Sequence, residues 1–113
     1  MTISRDATFD LLSRWKNEPA IVRCIWTFGD SGGVIFAGFI EELVSSGFSI
    51  INAGPDFNST LNFRLDQATE FDYKDIREAP DTLRSQIGTS VSAFLSIKTT
   101  TSLLVLWGIE QEV

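Results

Sequence analysis

From residue 20 onwards, apolar side chains recur at every second position, and this period constrains the fold more than any other feature of the chain. In the segment that begins at Ala20, one set of side chains alternates with a second set. The first set is Val22, Cys24, Trp26 and Phe28, and the second is Ile21, Arg23, Ile25 and Thr27. A two-residue period places neighbouring side chains on opposite faces of a β-strand. The sequence therefore predicts a mainly β fold whose strands enclose a shared interior rich in aromatic rings.

The same period continues in short segments that turn residues separate. Glycine-rich connections such as Gly29–Gly33 are typical of hairpin turns, because glycine readily adopts positive φ. Gly38 lies in the middle of the second predicted strand, where a glycine indicates a sharp bend or a close approach of another backbone. After the strand that follows Ala20, the predicted strands are 34–43, 48–53, 60–65, 69–73, 90–98 and 102–109.

A short amphipathic helix is predicted over residues 6–16, ahead of the first strand. Phe9, Leu12 and Trp15 have the three-residue spacing that places side chains on one helical face. Asp6 is interpreted as its N-cap or first-turn acid. A helix this short is not stable alone, so its apolar face is expected to dock on the strands.

The chain as a whole is predicted to form one domain, residues 1–113, a length usual for a single core. Residues 20–73 are predicted to form a five-stranded barrel, because consecutive short strands with tight turns can close and so remove unpaired edges. A second short helix is expected over 80–87, where Pro80 suits a first helical position. A C-terminal β-hairpin over 90–109 completes the predicted architecture.

The segment 33–40 followed by 48–52 has the order apolar strand with interior glycine, turn, apolar strand. Together with the preceding helix, this order resembles the Sm-like (LSm) small β-barrel over residues 6–73, and it implies an Sm-like or SH3-like barrel. The family usually carries an aspartate and an asparagine in the loop after the second strand, whereas residues 41–47 contain no asparagine. Residues 65–69 also lack the family's arginine–glycine pair. The resemblance therefore implies the fold and no binding residue.

The C-terminal half shows a second resemblance. A strand, the segment Arg77–Glu78–Ala79–Pro80 and a hairpin follow one another in this half. This order is similar to that of bacterial proteins of unknown function. The resemblance implies no activity.

Charge and cysteine content indicate the compartment. The chain has 15 acidic and 9 basic residues and a formal net charge of −6, which repels nucleic acids and anionic lipid surfaces. Its first residues lack the apolar stretch of a signal peptide, and no run approaches the roughly 18 apolar residues of a membrane helix. Cys24 is the only cysteine, as is usual in a reducing compartment. These features predict a cytoplasmic domain that binds no membrane, and they disfavour binding of nucleic acid.

The residue types present are poorly suited to catalysis. The chain has no histidine, the side chain that most easily transfers protons near neutral pH. Cys24 lies between apolar neighbours in a predicted strand, and a buried thiol of this kind is inert. The sequence predicts no catalytic residue, no metal site and no cofactor, and so no enzyme.

An acidic run between residues 66 and 81 is the most conspicuous charged feature. It is interpreted as a solvated strand edge and helix start, partly neutralised by Lys74 and Arg77. A carboxylate pair for acid–base chemistry or a weak cation site is the alternative interpretation. The run consists of Asp66, Glu70, Asp72, Asp75, Glu78 and Asp81.

The last predicted strand contains a continuous apolar run, Leu103, Leu104, Val105, Leu106 and Trp107. A half-exposed strand alternates apolar and polar residues, so this one is either buried on both faces or meets a partner with one face. The sequence therefore makes these five residues a possible interface for self-association. The predicted function is a non-enzymatic protein–protein interaction or assembly module, because open strand edges in a partly closed barrel readily pair with another chain.

An atypical Sm-like RNA-binding protein is the alternative function. Trp15, Trp26 and Trp107 could stack on bases as aromatic residues do in single-strand binders. Such sites also need basic residues on the same face, and only Arg23 and Arg64 project from predicted strands. These two arginines are the candidate RNA contacts.

Overall fold

In a computed structural model of the chain, the structure describes residues 2–18, 21–29, 32–53, 58–87, 91 and 93–109. The described residues form one antiparallel sheet of seven strands and two α-helices. The predicted mainly β fold with two helices is therefore confirmed. Some predicted features lie outside the described residues, namely 19–20, 30–31 of the first turn, 54–57 of the predicted barrel, and 90 and 92 of the terminal hairpin.

The first helix precedes all the strands, and the second lies between the fifth strand and the last hairpin. Short 3₁₀ turns at Leu65–Gln67 and Ile76–Glu78 precede the fifth strand and the second helix. In the sheet, neighbouring strands follow the order β4-β3-β2-β1-β7-β6-β5. The elements are α1 (Arg5–Asn17), β1 (Ile21–Thr27), β2 (Gly33–Val44), β3 (Gly47–Ala53), β4 (Asn58–Arg64), β5 (Glu70–Asp75), α2 (Asp81–Ile87), β6 (Ala93–Lys98) and β7 (Leu103–Ile109).

The strand pairing corrects the predicted barrel of residues 20–73. β1 pairs with β2 on one side and with β7 on the other, and β5 pairs with β6. The terminal hairpin thus lies between β1 and β5 in the sheet. Because β4 and β5 are its two ends, the sheet is open and the prediction of a closed five-stranded barrel is wrong. Periodicity indicates which face a residue occupies, but it does not specify which strand lies beside it.

The open sheet is nevertheless strongly coiled. Two strands separate β1 from β4, so a flat sheet would hold them about 14 Å apart, at about 4.8 Å per strand. The ring centroids of Trp26 on β1 and Phe63 on β4 are only 5.2 Å apart. The sheet therefore curls until inward side chains of distant strands touch, which gives the molecule an inner and an outer sheet face.

The close backbone approach that Gly38 predicts is found in the structure. A Cβ atom at Gly38 would clash with the carbonyl oxygen of Ile51 on β3, so only glycine permits this approach. A register shift between Ile40 and Glu42 adds an irregularity to the same strand. Bulges increase the local twist of a strand, so β2 contributes to the coiling of the sheet.

The helix α1 begins at a cap that the sequence did not identify. The N-cap is Ser4, whose side-chain oxygen accepts a hydrogen bond from the backbone N–H of Ala7 at 3.0 Å. Asp6 lies in the first turn, where its charge complements the helix dipole. Serine satisfies a backbone donor that would otherwise lack a partner, and this fixes where the helix starts.

The inner sheet face and α1 enclose the main core. Leu12 and Trp15 of α1 are buried there, and Trp15 packs on β7 at Gly108, where a Cβ atom would lie 2.6 Å from its Nε1. The helix therefore docks through Leu12 and Trp15 as predicted, whereas Phe9 is half-buried and Thr8 takes the third buried position. The buried strand residues of this core are Val22, Cys24, Ile40, Phe48, Ile50, Phe63, Phe71, Leu95, Ile97, Leu104 and Leu106.

A second, smaller cluster lies on the outer sheet face. The helix α2 and the residues beside it cover part of β6 and β7 there, and Ile25 of β1 packs against the margin of the cluster. This outer cluster makes the C-terminal part of the sheet a three-layer structure, with α1 inside and α2 outside. Its buried members are Ala79, Ile87, Phe94, Val105 and Trp107.

Candidate functional site

The strand predicted as a possible interface, β7, lies between β1 and β6. Leu104 and Leu106 face the inner core with 0% exposure, whereas Val105 and Trp107 belong to the outer cluster, with 7% and 3% exposure. Burial on both faces, one of the two explanations that the sequence allowed, accounts for the continuous apolar run. Of the five residues, Leu103 is the one that solvent reaches appreciably, at 38%. An interface role for this strand stays a prediction.

The two arginines of the RNA alternative are not brought together. Arg23 is exposed on β1 and Arg64 is exposed on β4, with two strands between them. Arg64 donates two hydrogen bonds to the carboxylate of Asp66, at 3.2 and 2.8 Å. This guanidinium lowers the pKa of Asp66 below its ordinary value of 3.8. The charge of Arg64 is thus compensated within the chain.

The three tryptophans lie in different surroundings. Trp15 of α1 is buried in the inner core, and Trp107 of β7 is buried in the outer cluster. Trp26 is half-buried on the inner face, near the end of β1. They do not form one stacking surface.

The acidic run is distributed over several local ion pairs. Asp66 binds Arg64, and Asp75 binds Arg77 at 3.0 Å, while Asp81 lies 2.6 Å from the guanidinium of Arg84. Hydrogen bonds from Arg77 lower the pKa of Asp75. Among the described residues, no three or more carboxylate, thiol or imidazole side chains converge as a metal site would require. The geometry matches the interpretation of a solvated run.

Cys24 occupies the inner core with 1% exposure. Burial raises the pKa of its thiol to about 11, although a backbone hydrogen bond with Phe36 acts in the opposite direction. Because the thiolate is the reactive form, this cysteine is unreactive at neutral pH. It serves as a small apolar side chain of the core.

The edge of β5 is covered. The backbone N–H of Ile3 donates to the carbonyl oxygen of Phe71 at 2.9 Å, and the hydroxyl of Thr2 donates to Asp72 at 3.0 Å. Thr2 and Asp72 form an isolated antiparallel bridge. The side chains of β5 also carry charge at Glu70, Asp72, Lys74 and Asp75. Charged side chains and a covering segment both prevent another strand from adding to an edge.

The edge of β4 has neither protection. No strand in the described part of the chain pairs with its outer side, and Arg64 at its end is its one charged residue. The backbone N–H of Leu65 donates to the carbonyl oxygen of Ser46 at 2.8 Å, which agrees with the register that pairs Phe63 with Phe48. Backbone groups alternate along a strand, so Thr60 and Asn62 direct their N–H and C=O groups away from β3. This free edge is the candidate functional site.

The outer face of β2 is a second exposed feature. Ile35 is 72% exposed and Phe39 is 42% exposed on this face. Ile35 pairs in register with Ile25, which packs against the outer cluster, so the cover that α2 provides ends at β1. The apolar face of β2 beyond it remains in contact with solvent.

Comparison with known proteins gives no match for this chain. No protein-family model matches it, and no curated protein and no solved structure is similar to it. None of the described helices is long and apolar enough to span a membrane. The functional conclusion therefore depends on the geometry of the chain itself.

The sequence indicated open edges in general but did not identify β4. Its only signal was composition, since residues 58–63 contain no charged side chain whereas 70–75 contain four. The strand order was needed to show that both segments are edges. The exposed face of β2 had a clearer signal, because Val34–Ile40 is as continuously apolar as Leu103–Trp107.

Proposed function

We propose that this domain is a non-enzymatic assembly module whose chains associate in pairs through the edge of β4. One observation carries the proposal: β4 ends the sheet with unpaired backbone groups at Thr60 and Asn62 and with no covering segment among the described residues. An exposed row of such groups is a template for a further strand. The occupant of this edge is a second copy of the same chain.

The register of β4 suits antiparallel pairing with itself. A two-fold axis at Leu61, the middle residue of Asn58–Arg64, places Thr60 opposite Asn62 of the second copy and Asn62 opposite Thr60 of that copy. Both residues direct their backbone groups outwards, so each facing pair exchanges two hydrogen bonds. A two-fold interface of this kind uses the same surface patch on both chains.

The charge distribution favours β4 over β5 for this contact. Each chain has a net charge of −6, so two copies repel one another at long range. β4 contains no acidic residue, and its Arg64 is paired with Asp66. On β5, Glu70, Asp72 and Asp75 would face a second copy of the same charges. Lys74 offsets only one of these three acids, so of the two sheet edges β4 is the one where two copies repel each other less.

The other predictions from the sequence are independent of this proposal. The Sm-like or SH3-like resemblance, the similarity to bacterial proteins and the cytoplasmic location remain expectations, and the β4 pairing does not depend on them. RNA binding through Arg23 and Arg64 also remains a prediction. The pairing of Arg64 with Asp66 makes this arginine less available to a phosphate group.

The proposal is tested by the variant Thr60→Pro. Proline removes the outward N–H of residue 60, while its ring is tolerated at an edge position whose N–H faces solvent. A symmetric pair loses two hydrogen bonds at about 1–2 kcal/mol each, so we expect the dimer dissociation constant to rise about 100-fold. Sedimentation equilibrium measures this constant against the chain mass of 12.6 kDa.

Thr60→Val is the matched control, because valine keeps the backbone N–H and suits a strand. We expect it to dimerise like the unchanged chain, and circular dichroism shows whether both variants keep the sheet. A dissociation constant that is equal in folded Thr60→Pro and Thr60→Val would contradict pairing through this edge.

A further inference from the structure

A cavity of about 350 Å³ lies at the end of the coiled sheet, beside the place where it fails to close. Its wall is formed by the end of β1, the end of β4, the 3₁₀ turn after β4 and the turn between β6 and β7. Three aromatic side chains line it, Trp26, Phe28 and Phe63, with polar groups such as Asn62 and Gln67 beside them. Small-molecule sites commonly have this form, a concave and largely apolar wall with a few polar groups.

The aromatic side chains form a packed surface. The ring centroids of Trp26 and Phe28 are 4.7 Å apart, and those of Trp26 and Phe63 are 5.2 Å apart with a tilt of 67°. Phe63 is buried, whereas Trp26 and Phe28 are half-buried. Rings that hold one another in place lose little freedom when a ligand binds, so this wall is prepared to stack on a flat ring.

No unpaired charge is found among the described residues that line the cavity. Arg64 is bound to the carboxylate of Asp66 at 2.8 Å. In the turn between β6 and β7, the hydroxyl oxygens of Thr99 and Ser102 lie 2.8 Å apart and satisfy each other. A charged ligand would leave water for aromatic walls without gaining an ionic partner, which is costly. The lining therefore favours an uncharged ligand.

One polar atom of the wall is unsatisfied. The Nε1–H of Trp26 is buried and has no hydrogen-bond partner in the described part of the chain. Buried N–H groups are nearly always paired, so this donor is an exception that needs an acceptor. Trp26 lines the cavity, so a ligand there lies against the indole that carries this donor.

We infer that this cavity binds an uncharged compound of one or two fused rings, whose carbonyl or hydroxyl oxygen accepts a hydrogen bond from Trp26. The size follows from volume, since a cavity of about 150 Å³ accommodates benzene and the present one is about 350 Å³. This ligand site goes beyond the proposed assembly role. Trp26 and Phe28 lie outside β4, so the site does not need the pairing of two chains.

The test uses 2-quinolone, an uncharged two-ring lactam, as the probe for the full chain labelled with ¹⁵N. The chain has three tryptophans and so three indole N–H signals, and Trp26→Phe identifies the signal of Trp26. We expect 2-quinolone to shift that signal saturably. We expect 2-naphthoate, an anion of similar size, to bind about tenfold more weakly.

Thr101→Phe fills the mouth of the cavity from an exposed turn position. We expect this variant to bind 2-quinolone about tenfold more weakly, because the added ring occupies the space of the ligand. Thr82→Phe is the matched control, since Thr82 is exposed on α2 and lies outside the cavity. The inference is overturned if 2-quinolone leaves the Trp26 signal unmoved, if it binds both variants equally, or if 2-naphthoate binds as tightly.

Discussion

The two edges of the sheet differ in two protections, a covering segment and charged side chains. At β5, the segment that precedes α1 donates a backbone hydrogen bond from Ile3 to Phe71 and a side-chain hydrogen bond from Thr2 to Asp72. At β4, no described residue covers the outer side, and the strand is uncharged as far as Arg64. The comparison shows that one sheet can block one of its edges and leave the other available for pairing.

On the inner face each edge strand has one buried phenylalanine, Phe71 on β5 and Phe63 on β4, and the strands differ in the other residues that face inwards. Phe71 is an anchor of the covered edge, since its ring is 7% exposed and lies 5.6 Å from the guanidinium of Arg5. Leu61, at the middle of β4, is only half-buried and packs at the margin of the inner core. Both edges are thus anchored in the core, by Phe71 and by Phe63, and the covered edge is held in addition by the N-terminal segment.

The largest expected effect on stability comes from Phe71→Ala. Removal of a buried phenylalanine ring costs about 3–5 kcal/mol, because both the apolar contact and the packing are lost. We expect Leu61→Ala to cost about 1–2 kcal/mol, since this side chain buries less surface. Urea unfolding of dilute protein measures both values. If Leu61→Ala costs as much as Phe71→Ala, Leu61 holds the middle of the free edge as firmly as Phe71 holds the covered edge, which contradicts this difference.

A smaller effect is expected from added charge at the free edge. In Thr60→Asp, each of two paired chains gains one negative charge on a strand that has none, so we expect the dimer dissociation constant to rise about tenfold at low salt. Thr60→Asn is the neutral control of similar size. Sedimentation at several salt concentrations separates charge repulsion from other causes, because added salt restores dimerisation of the Asp variant only if charge is responsible. An Asp variant that salt leaves unchanged would argue against the proposed contact.

The smallest effect concerns pH, in which the two edges resemble each other. Asp66 beside β4 and Asp75 at the end of β5 have pKa values below the ordinary 3.8, since Arg64 and Arg77 donate hydrogen bonds to them. A carboxyl whose folded pKa is lower than its unfolded pKa stabilises the fold above the unfolded value. That contribution is lost as the pH falls through the folded value.

We therefore expect a small decline in unfolding free energy between about pH 5 and about pH 3. Urea unfolding at the two pH values measures it. Asp66→Asn and Asp75→Asn should each remove part of the decline, by similar amounts. A decline that both variants show in full would assign the pH dependence to other carboxyls.

The sheet face that each side chain occupies could be predicted from the sequence, because it depends on a local two-residue period. Val22 and Cys24 of β1, and Phe63 of β4, lie in the inner core as their alternation indicates. Hairpin partners such as β1 and β2 follow from the short turns. The pairings of β1 with β7 and of β5 with β6 could not be predicted, since backbone hydrogen bonds are made alike by all residue types and here join segments far apart in the chain. For this reason the sequence predicted a closed barrel, whereas the sheet is open.

The outer face shows a second limit of the sequence. Val34–Ile40 and Leu103–Trp107 are both apolar on two faces. In β7 the second face is buried with α2 at Val105 and Trp107, while in β2 it leaves Ile35 72% exposed. The difference depends on where α2 docks, which neither segment encodes by itself. The free edge of β4 was hidden for the same reason, because its availability depends on the strand order.

The central claim, that two chains pair through β4, is tested most directly by amide hydrogen exchange at several protein concentrations. The N–H groups of Leu61 and Phe63 face β3 and should be protected at every concentration. We expect protection at Thr60 and Asn62 to rise with concentration, because their N–H groups acquire partners only in the dimer. Exchange at Thr60 and Asn62 that stays fast at all concentrations would contradict the account.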